Sequence, residues 1–232
     1  MTGGLVFDVD DTLYLERDYV LSGFRCVGQH LHSTLGVEGF TDRAWRRFLN
    51  GGRNDIFDRT LEDLGAEFNA RLIAELVEVY RNHVPDIELL PDSRRCLEAV
   101  RSSGIAMGIV TDGPSSSQHA KIKALGLEHY AEVVVVTADL GPGRSKPHLA
   151  PFQAVQQRLG MEGPFLTYVA DNPTKDFLAP ARLGWRTLRV RREAALHRHR
   201  PSGPDVGREV TSLHASACRW LIGDSSSQAL QT

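Results

Sequence analysis

The stretch Leu5-Val6-Phe7-Asp8-Val9-Asp10-Asp11-Thr12-Leu13-Tyr14 decides how the rest of the chain is read. It opens as an apolar run and closes in acid. Leu5 to Phe7 have the composition of a parallel strand buried on both faces. Asp8 and Asp10 are two apart, so on a continuing strand both point to one side. Carboxylates at Asp8, Asp10 and Asp11 would destabilise a core strand, because uncompensated buried charge is costly. They belong at the carboxyl end of a strand, facing a crevice in which a cation can offset them. Taken alone, Asp-x-Asp also fits a strand that closes in a polar Asx-type turn. The remainder of the chain decides between the two.

The 232 residues suffice for one sizeable core and an inserted subdomain, and the 41% apolar content fits a globular chain rather than a disordered one. A formal net charge of -2 gives no general electrostatic case for nucleic acid or a membrane surface. Cys26, Cys96 and Cys218 are widely spaced with no Cys-x-x-Cys pair, which argues for reduced thiols in a cytoplasmic protein. No basic segment precedes a long apolar one at the N-terminus, so no signal peptide is expected. The run at Leu5 is too short to span a membrane.

After the acidic stretch the apolar period changes to helical. Val20, Phe24, Val27 and Leu31 mark a helix over about Asp18 to Leu35. Further helices are predicted over Asp42 to Leu49, Ile56 to Leu64 and Asn69 to His83. A simple crossover needs far fewer residues. Residues 15–90 therefore read as an inserted helical cap, and residues 1–14 with 91–232 as an α/β core. Asp92 is expected to cap a helix ending near Ser103. Strands are predicted at Ile105 to Val110, Ala131 to Thr137, Phe165 to Ala170 and Trp185 to Val190, the last of the series. Helices are predicted from Ser115 to Gly126, from Leu149 to Leu159, and from Thr174 to Leu183 with an interruption at Pro180. This alternation argues for a doubly wound parallel sheet of Rossmann-like form. The basic stretch from Arg189 to Arg200 reads as a solvated edge of the domain. Leu213 to Ile222 reads as a short terminal helix, and Asp224 to Thr232 as a frayed tail.

The acidic segments fall at strand ends, where ligands bind in such sheets. Asp8-Val9-Asp10-Asp11-Thr12-Leu13 comes first, then Val110-Thr111-Asp112-Gly113, then Ser145-Lys146-Pro147. Val169-Ala170-Asp171-Asn172-Pro173-Thr174-Lys175-Asp176 comes last. In that order they resemble the four motifs of the haloacid dehalogenase-like superfamily, with Ala170 where the family more often has glycine. The resemblance covers the core from Leu5 to about Val190 and implies phosphoryl transfer through an aspartyl-phosphate. It casts Asp8 as nucleophile and Asp10 as proton carrier. Thr111, with the backbone amides of Asp112 and Gly113, would hold phosphate oxygens, and Lys146 would supply counter-charge. Asp8, Asp10 (through its backbone carbonyl), Asp171 and Asp176 would hold Mg²⁺, because Lys146 alone cannot balance four carboxylates and a phosphate.

The resemblance implies a Mg²⁺-dependent phosphatase acting on a small phosphorylated metabolite such as a sugar phosphate or nucleotide. A phosphosugar mutase keeps the same four motifs and stays open. A dehalogenase is disfavoured by Asp10, and a non-catalytic binding protein by the retention of both Asp8 and Asp10. In the insertion, Gly51-Gly52-Arg53-Asn54-Asp55 is the stretch expected to touch substrate, through Arg53 if at all, since an ordinary exposed charge on a loop is the preferred reading of that residue. An insertion at this point is expected to act as a lid. Nothing in the sequence speaks to oligomeric state.

Overall fold

A computed structural model describes residues 3–222. Strand β1 (Gly4–Phe7) is followed by four helices, α1 (Glu16–Leu35), α2 (Phe40–Leu49), α3 (Ile56–Asp63) and α4 (Ala70–Asn82). Helix α5 (Pro91–Ser102) precedes β2 (Met107–Thr111), α6 (Ser115–Ala124), β3 (Val133–Val136), α7 (Ala150–Leu159) and β4 (Leu166–Ala170). Then come α8 (Leu178–Arg182), β5 (Arg186–Val190), β6 (Arg208–Val210) and α9 (Ala215–Ile222). The chain divides into two compact units: residues 17–87, and the residues on either side of them. Among the described residues no helix is long and apolar enough to cross a membrane.

The six strands form one sheet in the order β3-β2-β1-β4-β5-β6, with every neighbouring pair parallel. This is the doubly wound α/β arrangement, and the winding reverses between β1 and β4. Register brings the acidic segments together. Phe7 lies opposite Ile109 on one side and Val169 on the other. Asp8, the Thr111 end of β2 and Asp171 therefore emerge side by side at the carboxyl edge. The strands that carry them are apolar and buried throughout: Gly4–Phe7, Met107–Thr111 and Leu166–Ala170 have no exposed residue. Behind them Phe152 of α7 packs edge-to-face on Tyr168 and Trp185, at centroid distances of 5.0 and 5.8 Å. Such pairs add to the free energy of burying the rings themselves.

Residues 17–87 close around an aromatic cluster of their own. Phe24 of α1 meets Phe48, Phe57 and Tyr80 at 6.4, 6.2 and 6.0 Å, so each of the four helices contributes a ring. Helix α1 starts two residues before the expected Asp18. The Asp11 carboxylate accepts the Glu16 amide at 3.0 Å and satisfies a donor of the first turn. Where the segment rejoins the core, the Leu90 amide donates to the Leu13 carbonyl at 3.0 Å.

Four expectations are corrected. Asp92 does not cap α5. Pro91 starts the helix, where it lacks only an amide that would have no helical partner. The Asp92 carboxylate instead accepts Arg192 at 2.9 Å and the Leu213 amide at 2.7 Å. The helix after β4 is reduced to Leu178–Arg182. Asn172 accepts the Thr174 amide and hydroxyl, and Asp176 accepts the Asn172 amide, so local side-chain bonds hold residues 172–176 in a turn. Strand β5 is not the last strand, because β6 pairs with it. Three residues of sequence Arg-Glu-Val carry no apolar run by which to announce a strand. The tail from Asp224 lies outside the described residues.

The fourth correction concerns the basic stretch. Arg189 is fully buried and Arg192 nearly so. Arg189 Nε donates to the Asp171 carbonyl at 2.9 Å, and its other nitrogens reach the His197 and Arg200 carbonyls and Ser202. Arg192 Nε donates to the Thr12 carbonyl at 2.8 Å. Arg189 thus divides its donors between three carbonyls, Ser202 and Glu209, and Arg192 divides its own between the Thr12 carbonyl, Asp92 and Ser93, so both charges organise the loop after β5 rather than facing solvent.

Arg189→Met keeps the length of the stem and removes these donors from four carbonyl or hydroxyl oxygens. Unsatisfied buried acceptors each cost about 1–3 kcal/mol. The Asp171 carbonyl is the fully buried acceptor among them and the others are partly buried, so urea denaturation should show a loss of about 1–3 kcal/mol, where an edge charge would show almost none.

Candidate active site

Lys146 approaches from the loop between β3 and α7. Its Nζ donates to Asp8 Oδ1 at 2.8 Å and to the Tyr168 hydroxyl at 3.1 Å, and lies 2.7 Å from Asp176 Oδ1. The last contact is an ion pair without hydrogen-bond geometry, since Asp176 Oδ1 has no hydrogen-bond partner among the described residues. All three charged side chains are buried. Burial opposes the ammonium, but Asp176 and Asp8 overcome this and hold Lys146 charged well above the ordinary lysine value.

Asp8, Asp171 and Asp176 each present a carboxylate oxygen within 4.8 Å of the others. One ammonium among three acids leaves an excess of buried negative charge. Burial foremost, then the neighbouring Asp176, raises Asp8 to about 7, against the pull of Lys146. Burial again, followed by Asp176 and Asp8, raises Asp171 to about 10. Asp171 Oδ2 is buried with no hydrogen-bond partner among the described residues. An orphaned carboxylate oxygen in an all-oxygen donor set fits a hard divalent cation. These three residues would hold it.

Asp10 is held differently. Its carboxylate meets Lys121 Nζ at 2.7 Å, accepts Gln118 Nε2 at 3.2 Å and accepts the Tyr14 hydroxyl. Burial raises its pKa, but the Lys121 charge and these hydrogen bonds outweigh burial and hold Asp10 below the ordinary carboxylate value. Two aspartates two residues apart are thereby pushed in opposite directions. Asp11 separates them from the α1 entry with a left-handed backbone at φ 52°, a conformation aspartate tolerates better than most residues. Its second oxygen accepts the Leu196 amide at 2.7 Å.

Thr111 lies at the end of β2, and its hydroxyl donates to Gln118 Oε1 at 2.8 Å. The Asp112 carboxylate accepts Thr137 at 2.7 Å, the Lys146 amide at 3.1 Å and Lys175 Nζ at 3.0 Å. Asp112 thus braces the loop that delivers Lys146. Gly113 has φ 144°, and a Cβ there would fall 2.5 Å from Gln118 Nε2, so glycine leaves the path of that side chain open. Arg53 belongs to the other unit, where it donates to the Phe48 carbonyl at 3.0 Å and covers the Phe48 ring at 4.4 Å.

The core unit thus brings together Asp8, Asp10, Thr111, Lys146, Asp171 and Asp176. A cavity of about 40 Å³ at this edge is lined by Asp8, Asp10, Asp171 and Asn172, with Lys175 and His197 contributing positive or neutral nitrogen. Lys175 and Tyr14 lie inside the quoted stretches but were given no role there. Gln118, Lys121, Tyr168 and His197 were not singled out. Helix α6 has no apolar stripe, and that absence was the available sign of inward-facing polar side chains.

A family model described as haloacid dehalogenase-like hydrolase matches residues 5–190. The chain belongs to this family. It is 29% identical to a glyceraldehyde 3-phosphate phosphatase of Methanopyrus kandleri, over 83% of this chain and 85% of that protein. It is 26% identical to a phosphoserine phosphatase of Thermus thermophilus, over 89% and 93%. The structure of a HAD phosphatase from Thermococcus onnurineus superposes with a TM-score of 0.61 at 26% identity, covering 95% of this chain and 98% of that one.

Because Asp8 is raised to about 7 and Asp171 to about 10, a cation must displace protons to enter. Divalent-cation affinity should rise as pH increases from about 5 to 8, with proton release on binding. Calorimetry in buffers of different ionisation enthalpy measures both. The sign for stability is opposite in the metal-free protein. A carboxylate raised above its unfolded value binds more protons when folded, so stability falls as pH rises from about 4, through about 7 for Asp8 and on to about 10 for Asp171. Saturating cation should reverse that fall.

Proposed function

We propose that this protein is a Mg²⁺-dependent phosphatase that hydrolyses a small phosphate ester through an aspartyl-phosphate on Asp8. The observation that carries the reading is the buried Lys146–Asp8 pair beside a separately held Asp10. One carboxylate is set against a phosphate-compatible ammonium and a candidate cation site, and the other is kept out of that network. The family hydrolases named above as phosphatases act on short phosphorylated compounds, and that supports a small metabolite here over a phosphosugar mutation. The all-oxygen donor set favours Mg²⁺ over a softer metal. When bound, the cation would offset the joint negative charge of carboxylates and phosphate.

The reaction then divides between the two aspartates. A carboxylate oxygen of Asp8 forms a bond to phosphorus while the ester oxygen departs with its electron pair. Asp10 delivers a proton to that oxygen, so an alcohol leaves. Phosphate monoesters titrate near pH 6, and a bound monoanion brings the proton that Asp10 lacks at rest. Asp10, again a carboxylate, takes a proton from water as the water attacks the acyl phosphate. Inorganic phosphate and free Asp8 result. Lys146 stays charged throughout and accompanies the phosphoryl group as a fixed counter-charge.

Asp8→Asn nearly preserves shape but cannot form the acyl phosphate. It should abolish turnover of a phosphate-ester panel with its fold unchanged by circular dichroism; a folded Asp8→Asn protein with near-normal turnover would refute the mechanism. EDTA should silence the wild type, Mg²⁺ should restore it, and Asp171→Ala should raise the Mg²⁺ concentration required.

A further inference from the structure

Helix α6 follows β2 after three residues and turns two long polar side chains, one helical turn apart, toward the catalytic edge. Gln118 and Lys121 are 2% and 4% exposed. Burying such groups in a core helix is unfavourable unless they are compensated. Their partners include site residues. Lys121 Nζ and the Tyr14 hydroxyl engage Asp10 Oδ1, and Gln118 Nε2 engages Asp10 Oδ2. The other end of the same amide, Oε1, takes the Thr111 hydroxyl proton. Both oxygens of Asp10 are therefore held, which fixes both torsions of its side chain. One glutamine amide also makes the orientation of Asp10 depend on that of Thr111. Gly113 is shaped to this arrangement, because any Cβ there would press on the Gln118 amide.

The two aspartates consequently have an ammonium each: Lys146 from the β3–α7 loop for Asp8, and Lys121 from α6 for Asp10. A carboxylate that transfers protons must sit within hydrogen-bond reach of the moving atom, and a misplacement of about 1 Å can cost roughly 10²-fold. We propose that Gln118 and Lys121 are positioning residues of the reaction. They hold Asp10 in its proton-transfer orientation, apart from the Asp8 network, and lock it to Thr111. The proposal rests on the reading of Asp10 as the proton carrier. Neither residue touches the reacting atoms, and each acts through Asp10.

The test is a double-substitution cycle with two leaving groups. Lys121→Met should lower kcat for an alkyl phosphate by about 10²-fold, with KM changed less than about 3-fold. The pre-steady-state release of p-nitrophenolate from p-nitrophenyl phosphate, which needs little protonation, should fall far less. Lys121→Arg should recover part of the loss, and Gln118→Leu should repeat the pattern more weakly. In an Asp10→Asn background, Lys121→Met should add no further loss, because residues that act as a unit are non-additive. Should Lys121→Met fail to fold, the same cycle is run with Lys121→Arg and Gln118→Leu. Losses that multiply in the double variant, equal losses for both leaving groups, or a lowered melting temperature with unchanged kinetics would each overturn the proposal. Failure of the underlying phosphatase reading shows separately, as turnover that survives Asp8→Asn, and would overturn it as well.

Discussion

The ammonium of Lys146 is the charge on which the carboxyl edge of the sheet depends. Asp8, Asp171 and Asp176 converge within a few ångströms, out of bulk water, and without a cation among them they can share that space only by taking up protons. Lys146 supplies one positive charge from a loop, and the loop must be held for the charge to arrive. Asp112 does so by accepting the Lys146 amide while it grips Thr137 and Lys175. The Tyr168 hydroxyl does so from the strand beneath, with its ring wedged against Phe152. Core packing and active-site electrostatics thus meet at one tyrosine.

The parts of this arrangement that were legible in the sequence share one property: they are local. An apolar run that ends in a carboxylate announces a buried strand opening on a crevice, and Leu5 to Asp8, Met107 to Asp112 and Leu166 to Asp171 all have that form. Parallel alternation then fixes which edge they occupy. Arg189 and Arg192 were misread because burial of a cation is decided by distant carbonyls. Their partners lie at Asp171, His197 and Thr12, far along the chain or on the far side of a loop. Gln118 and Lys121 were passed over for the same reason, since the groups that compensate them sit about a hundred residues away. Strand β6 was missed because pairing with β5, not side-chain character, makes Arg208–Val210 a strand.

The buried arginines also explain how a long loop can end a sheet in order. The segment from Arg191 to Gly207 has little regular structure, yet it returns to pair β6 with β5. Arg189 gathers the His197 and Arg200 carbonyls from within, and Asp11 takes the Leu196 amide from the opposite side. The loop is thereby tied to both Arg189 and Asp11, and His197 is carried to the cavity wall.

The hydrogen bond from the Leu90 amide to the Leu13 carbonyl has a meaning for descent as well as for folding. It closes the path of the core immediately before and after the segment of residues 17–87, so the α/β chain passes from β1 to α5 across a single pinned gap. The free energy of closing a loop grows only with the logarithm of its length. Whatever is spliced between Leu13 and Leu90 therefore weighs little on the stability of the sheet. A lineage can lengthen, shorten or exchange that segment while the sheet on either side of the junction is inherited unchanged, so the pinned gap acts as a socket in the α/β core.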